Sequence, residues 1–90
     1  MQNVQNLLDR VKDIDLYQLL GVETYADEQT IRKAYRKKAL EYHPDKNPDK
    51  ATATKLFLQL SDALAVLTSE YARKVYDNAQ VVRKAEEIAR

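Results

Sequence analysis

Ninety residues with one glycine and two prolines leave the chain few places to turn. Strands joined by tight turns need more such residues. The chain is therefore expected to be almost entirely α-helical, broken near Gly21 and between Pro44 and Pro48. The length allows one small domain, which buries only about 60–65% of its unfolded surface.

Four helices are predicted. The first runs from about Asp15 to Leu20, with Gly21 as a C-terminal cap. Residues 1–13 have moderate helical tendency and read as an N-terminal extension that can lengthen this helix backwards. The second runs from about Ala26 to Tyr42. Thr24 and Asp27 form a passable capping box before it, and Ile31, Ala34, Tyr35 and Tyr42 share one face. The third, about Ala51 to Leu67, has the clearest periodicity: Ala53, Leu56, Phe57, Leu60, Ala63, Leu64 and Leu67 are its expected core positions. Either Thr68 or Ser69 can cap the fourth, which carries Tyr71, Val75 and Tyr76. The second and third helices, each about 24 Å long, should pair as an antiparallel hairpin, with the two shorter helices covering its apolar seam. The expected division is an extension over 1–13, a domain over 14–78 and a charged helical connector over 79–90.

Composition excludes several chemistries. A net charge of +1 implies no global attraction to nucleic acid or membrane. With no cysteine, disulfides and thiolate chemistry are absent, as suits a reducing compartment. No apolar run approaches the ~18–20 residues of a membrane span, and Met1 to Val11 is too polar for a signal peptide. The single histidine cannot assemble a zinc site by usual ligand counts. Asp45, Asn47 and Asp49 imitate the start of a calcium loop, but Lys50 stands where that loop needs glycine and Leu56 where it needs glutamate. No serine is marked as a nucleophile beside His43 and Asp45. Neither an enzyme nor a cofactor or metal site is expected.

One feature points to a partner. Arg32, Lys33, Arg36 and Lys37 lie within two turns of the second predicted helix and form a cationic stripe. The stripe runs into His43-Pro44-Asp45, a polar, proline-fixed turn. Asp27 and Glu28 are occupied at the helix start, so the stripe is expected to be unpaired and to attract an acidic partner.

These residues resemble the J-domain, the module by which J-proteins engage Hsp70 chaperones. The resemblance covers about Asp15 to Asp77. Asp15-Leu16-Tyr17-Gln18-Leu19-Leu20-Gly21-Val22 is similar to the family's opening, Ile31 to Asn47 to its second helix and loop, Phe57 with Ala63 to Thr68 to its third helix, and Tyr71 to Asp77 to its fourth. It implies docking on the ATP-bound Hsp70 nucleotide-binding domain, near the interdomain linker, and stimulation of ATP hydrolysis and substrate trapping. Asp45 is then the partner of an Hsp70 arginine, with Pro44 fixing the turn and His43 orienting it. Arg32, Tyr35, Arg36 and Lys37 meet an acidic Hsp70 surface, with Lys46 and Asn47 beside them. The client or complex is chosen by sequence outside these residues, and a monomer is expected.

Some positions depart from the family pattern. Gln29 shortens the basic patch, Tyr25 takes the usual cap position, Lys38 replaces an apolar residue and must snorkel out, and Ala72 replaces a lysine before Arg73. Neither a Gly/Phe-rich segment nor a Cys-x-x-Cys region follows Asp77 in these residues. Lys46 to Asp49, Gln59 to Leu64, Lys38 and the charged tail are similar to a nuclear, splicing-associated J-protein subfamily with a downstream RNA-recognition domain. Nuclear localisation is favoured over cytoplasmic on that resemblance. The rival readings are a basic helix that binds nucleic acid, which would need cations spread over a wider surface, and a J-like scaffold without Hsp70 stimulation.

Overall fold

The computed structural model describes residues 4–89. Residues 1–3, part of the expected extension, and residue 90, the end of the expected connector, lie outside the described residues. Five α-helices follow one another: α1 (Val4–Val11), α2 (Leu16–Leu20), α3 (Glu28–Glu41), α4 (Lys50–Leu67) and α5 (Glu70–Ala89), with a 3₁₀ turn at Pro44–Lys46. Among the described residues there is no strand, so the all-α expectation holds.

Side-chain caps start most of these helices. Asp15 accepts from the Gln18 amide at 3.1 Å and begins α2. Gly21 ends it at φ 73°, a left-handed conformation that a Cβ would strain. The cap of α3 is Asp27, which accepts from the Thr30 amide at 2.8 Å. The expected cap at Thr24 is thus corrected, and α3 begins at Glu28. A carboxylate reaches the free amides three residues on without a capping box, and these bonds hold the Asp27 carboxyl below its ordinary pKa. Asp49 caps α4 in the same way through the amide and hydroxyl of Thr52. Ser69 caps α5 by accepting from Ala72, while the Thr68 hydroxyl donates back to Leu64 and closes α4.

The α3–α4 pair is the expected antiparallel hairpin, with the Tyr35 hydroxyl 3.4 Å from Ser61 Oγ. α4 touches every other element, which explains why its buried residues are not confined to one stripe. Ala53, Leu60, Ala63 and Leu67 are buried as expected, but so is Val66, outside the expected face. Leu56 and Phe57 are only half-buried. Phe57 lies outside the core cluster, contrary to its expected core role. On α5 Tyr76 is buried as expected, but its companion in the core is Ala72 rather than Tyr71, which points to solvent.

The N-terminal segment departs most from expectation. It does not lengthen α2 but forms its own helix, because Asp15 restarts the chain after a turn in which the Ile14 amide bonds to the Val11 carbonyl. Leu7, Leu8 and Val11 of α1 join the core cluster. Arg10 reaches Asp62 of α4 at 3.2 Å, while Arg83 of α5 reaches Asp13 at 3.1 Å and donates to the Lys12 carbonyl.

Two tyrosines lock the start of α2 to α5. The Tyr76 hydroxyl donates to the Ile14 carbonyl and accepts from the Leu16 amide. The Tyr17 hydroxyl donates to Asp77 at 2.7 Å and accepts from Arg73, whose guanidinium also lies over the Tyr17 ring and donates to the carbonyls of Thr24 and Ala26. Burial, together with the bond to Asp77, pushes the Tyr17 phenol up to about 12. Lys38 snorkels as expected: its stem passes over Gly21 and its Nζ lies 3.9 Å from Glu41.

Candidate functional site

The site is built where α3 gives way to the 3₁₀ turn. A helix leaves its last carbonyls without intrahelical partners. Here the chain supplies partners from the residues just beyond. Pro44 at the first position of the turn sets its direction and offers no amide to be satisfied. His43 caps the turn: its Nδ1 accepts from the Asp45 amide at 3.2 Å, which fixes the neutral ring as the Nε2–H tautomer. The ring stands edge-on to Phe57 of α4, with centroids 5.6 Å apart. Phe57 thus braces the loop from below. Asn47 donates through Nδ2 to the carbonyls of His43 (2.9 Å) and Glu41 (3.3 Å).

These contacts leave the Asp45 carboxylate pointing outward. Its side chain is 86% exposed, and His43 Nδ1 stands 3.7 Å away, beyond hydrogen-bonding distance. An outward carboxylate on a braced backbone is preorganised for a cation brought by another molecule.

The cationic face lies along α3 from there. Lys33, Arg36 and Lys37 are exposed and form no ion pair among the described residues. Arg32 corrects the expectation of a wholly unpaired stripe, because Glu28 is one turn away and takes it at 2.9 Å. Lys46 is exposed in the turn, on the loop side of the same helix end. Tyr35, expected with the stripe, lies half-buried on the α4 side of α3 and packs against the core. Leu40 joins the residues expected at the site. Leu40 is 61% exposed and follows Lys33, Arg36 and Lys37 by seven, four and three residues, which places it on the cationic face. Those spacings were the available signal. An apolar side chain amid cations suits a partner surface that is acidic with an apolar spot.

Among the described residues no group of three histidine, cysteine or acidic side chains converges on a point, and no helix is long and apolar enough to cross a membrane. The arrangement can bind through charge and shape.

Residues 15–77 match the family model of the DnaJ domain. Over 71 residues, 79% of this chain and 23% of the relative, the chain is 55% identical to DnaJ homolog subfamily C member 17 of Rattus norvegicus, and equally to that of Homo sapiens. Over 63 residues, 70% of this chain and 16% of the relative, it is 52% identical to the chaperone protein DnaJ of Protochlamydia amoebophila. The chain spans less than a quarter of the length of these relatives.

Proposed function

The chain belongs to the DnaJ-domain family, and from that premise we propose that it is an Hsp70 co-chaperone module, not itself an enzyme. It docks on the nucleotide-binding domain of ATP-bound Hsp70, near the interdomain linker, through the α3 face and the His43-Pro44-Asp45 turn. The observation that carries this reading is the exposed Asp45 carboxylate, held by backbone and ring contacts at the end of a free cationic face. Lys33, Arg36 and Lys37 steer an acidic surface toward the turn, and Asp45 then meets an Hsp70 arginine in a charge-assisted contact. Tyr35 contributes mainly by holding α3 against α4. Docking favours the state that hydrolyses ATP and closes on substrate.

The test is binding of the whole 90-residue chain to an Hsp70 loaded with ATP or with ADP. The proposal expects clear preference for the ATP form and an association rate that falls steeply with salt, since the Debye length shrinks to about 8 Å at physiological ionic strength. Equal binding to both forms, or rates indifferent to salt, would count against it. A nucleic-acid reading has weaker support, because the free cations of the site are confined to one helix and its turn. We place the full-length protein in the nucleus, acting as a monomer on a complex selected by its other regions. Imaging of the tagged full-length protein tests this, and exclusion from the nucleus would overturn it.

A further inference from the structure

We propose that Asn47 is a positioning residue that sets the angle at which the Asp45 turn leaves α3, rather than a residue that touches the partner. The family resemblance implies a place for Asn47 beside Lys46 on the docking surface, but the structure turns its amide inward. Nδ2 faces two carbonyl oxygens, those of His43 and Glu41. Only the NH₂ end of an asparagine can serve two acceptors, so the orientation of the amide follows from its partners. One of them, Glu41, ends α3, and its carbonyl would otherwise lack an intrahelical partner. The other, His43, also accepts from the Lys46 amide at 3.0 Å, so both lone pairs of that carbonyl are used. One side chain thus ties the end of the helix to the base of the turn.

The rest of the turn is lightly held. It spans three residues and has no buried side chain. Its other restraints are the His43 Nδ1 bond to the Asp45 amide, the Lys46 amide bond to the His43 carbonyl, a long, 3.4 Å bond from the Asn47 amide to the Pro44 carbonyl, and the edge of the His43 ring against Phe57. Without the Asn47 side chain, the turn can swing relative to α3. The Asp45 carboxylate would then lose its fixed offset from Lys33, Arg36 and Lys37. An aspartate in place of Asn47 has the same shape but sets a carboxylate against two carbonyl oxygens, so it removes the clasp and repels as well.

The functional half of this proposal rests on the docking reading above, whereas the structural half does not. The whole chain is compared with Asn47→Asp, Asn47→Ala and Lys46→Ala. NMR measures solvent exchange of the Asp45 and Lys46 amides in the free protein. Single-turnover ATP hydrolysis by an Hsp70 then separates the maximal rate from the half-saturating concentration. Loss of a hydrogen bond of ordinary net strength should speed exchange of the Lys46 amide about tenfold in both Asn47 variants. Maximal stimulation should fall with it. Lys46→Ala should leave exchange unchanged and shift only the half-saturating concentration. Asn47 lies outside the core cluster, so helical circular dichroism should persist. If Asn47→Asp were to unfold, Asn47→Ala would carry the test. Exchange within twofold of the parent in the folded Asn47 variants overturns the proposal. Absence of any Hsp70 stimulation by the parent would sink the docking reading, while the exchange rates would still decide the clasp.

Discussion

The core begins before the family match does, and removing that part should be costly. The DnaJ-domain match starts at residue 15, yet Leu7, Leu8 and Val11 of α1 are 6%, 8% and 1% exposed. Fully burying such a side chain contributes about 1.5–3 kcal/mol. The three together contribute on the order of 4–9 kcal/mol, an upper figure because unfolded chains already bury some apolar surface. A domain of this length has a total stability of only about 5–13 kcal/mol. A chain shortened to begin at residue 14 is therefore predicted to be marginal or unfolded. The single change Val11→Ala removes two methyl groups from a site that is closed on all sides. It should cost about 2–3 kcal/mol, the transfer of those groups plus the cavity they leave. Urea unfolding followed by far-ultraviolet circular dichroism measures this, with the slope checked for constancy. A loss under about 0.5 kcal/mol for Val11→Ala, together with an unchanged midpoint for the shortened chain, would refute the placement of α1 in the core.

Tyr76→Phe removes the hydroxyl that serves both the Ile14 carbonyl and the buried Leu16 amide. It is predicted to cost about 2–3 kcal/mol in the same assay, because a buried donor is left unpaired. The Tyr17 phenol, raised to about 12 against an ordinary value near 10, should titrate last when absorbance at alkaline pH is followed. Since the folded value lies above the unfolded one, the stability contributed by neutral Tyr17 is complete below pH ~10 and is lost as pH rises through about 12; Tyr17→Phe should abolish that late step. Reversing charge at Arg36 and Lys37 should slow association with an Hsp70 by about tenfold or more at low salt and flatten its salt dependence, read by stopped flow, while thermal stability stays unchanged.

Much of the helical frame was legible because its signals are local. Few breakers, the Gly21 stop and the spacing of Leu60, Ala63 and Leu67 each need only neighbouring residues to be read. The turn and its outward Asp45 were legible as a motif. What escaped depends on contacts far apart in sequence. α1 is only eight residues long, and although Val4, Leu7, Leu8 and Val11 keep helical spacing, nothing local says that α4 and α5 will cover that face. Val66 is buried because α4 is covered on several sides, which a single-face pattern cannot express. Arg32 and Glu28 stand at i,i+4 spacing, but Glu28 also suits the helix start, and spacing alone does not choose between the two roles. The inward turn of Asn47 depends on two backbone carbonyls, and no residue pattern announces those.

The central claim is that the exposed Asp45 carboxylate couples this chain to ATP hydrolysis by Hsp70. The most direct measurement is single-turnover ATP hydrolysis by an Hsp70 with the whole chain and with Asp45→Asn, which keeps the shape of the side chain and removes its charge. The account predicts stimulation by the parent and its near-complete loss with Asp45→Asn, while the two proteins unfold at the same urea concentration. Equal stimulation by both, or none by the parent at saturating concentration across several Hsp70s, would contradict it.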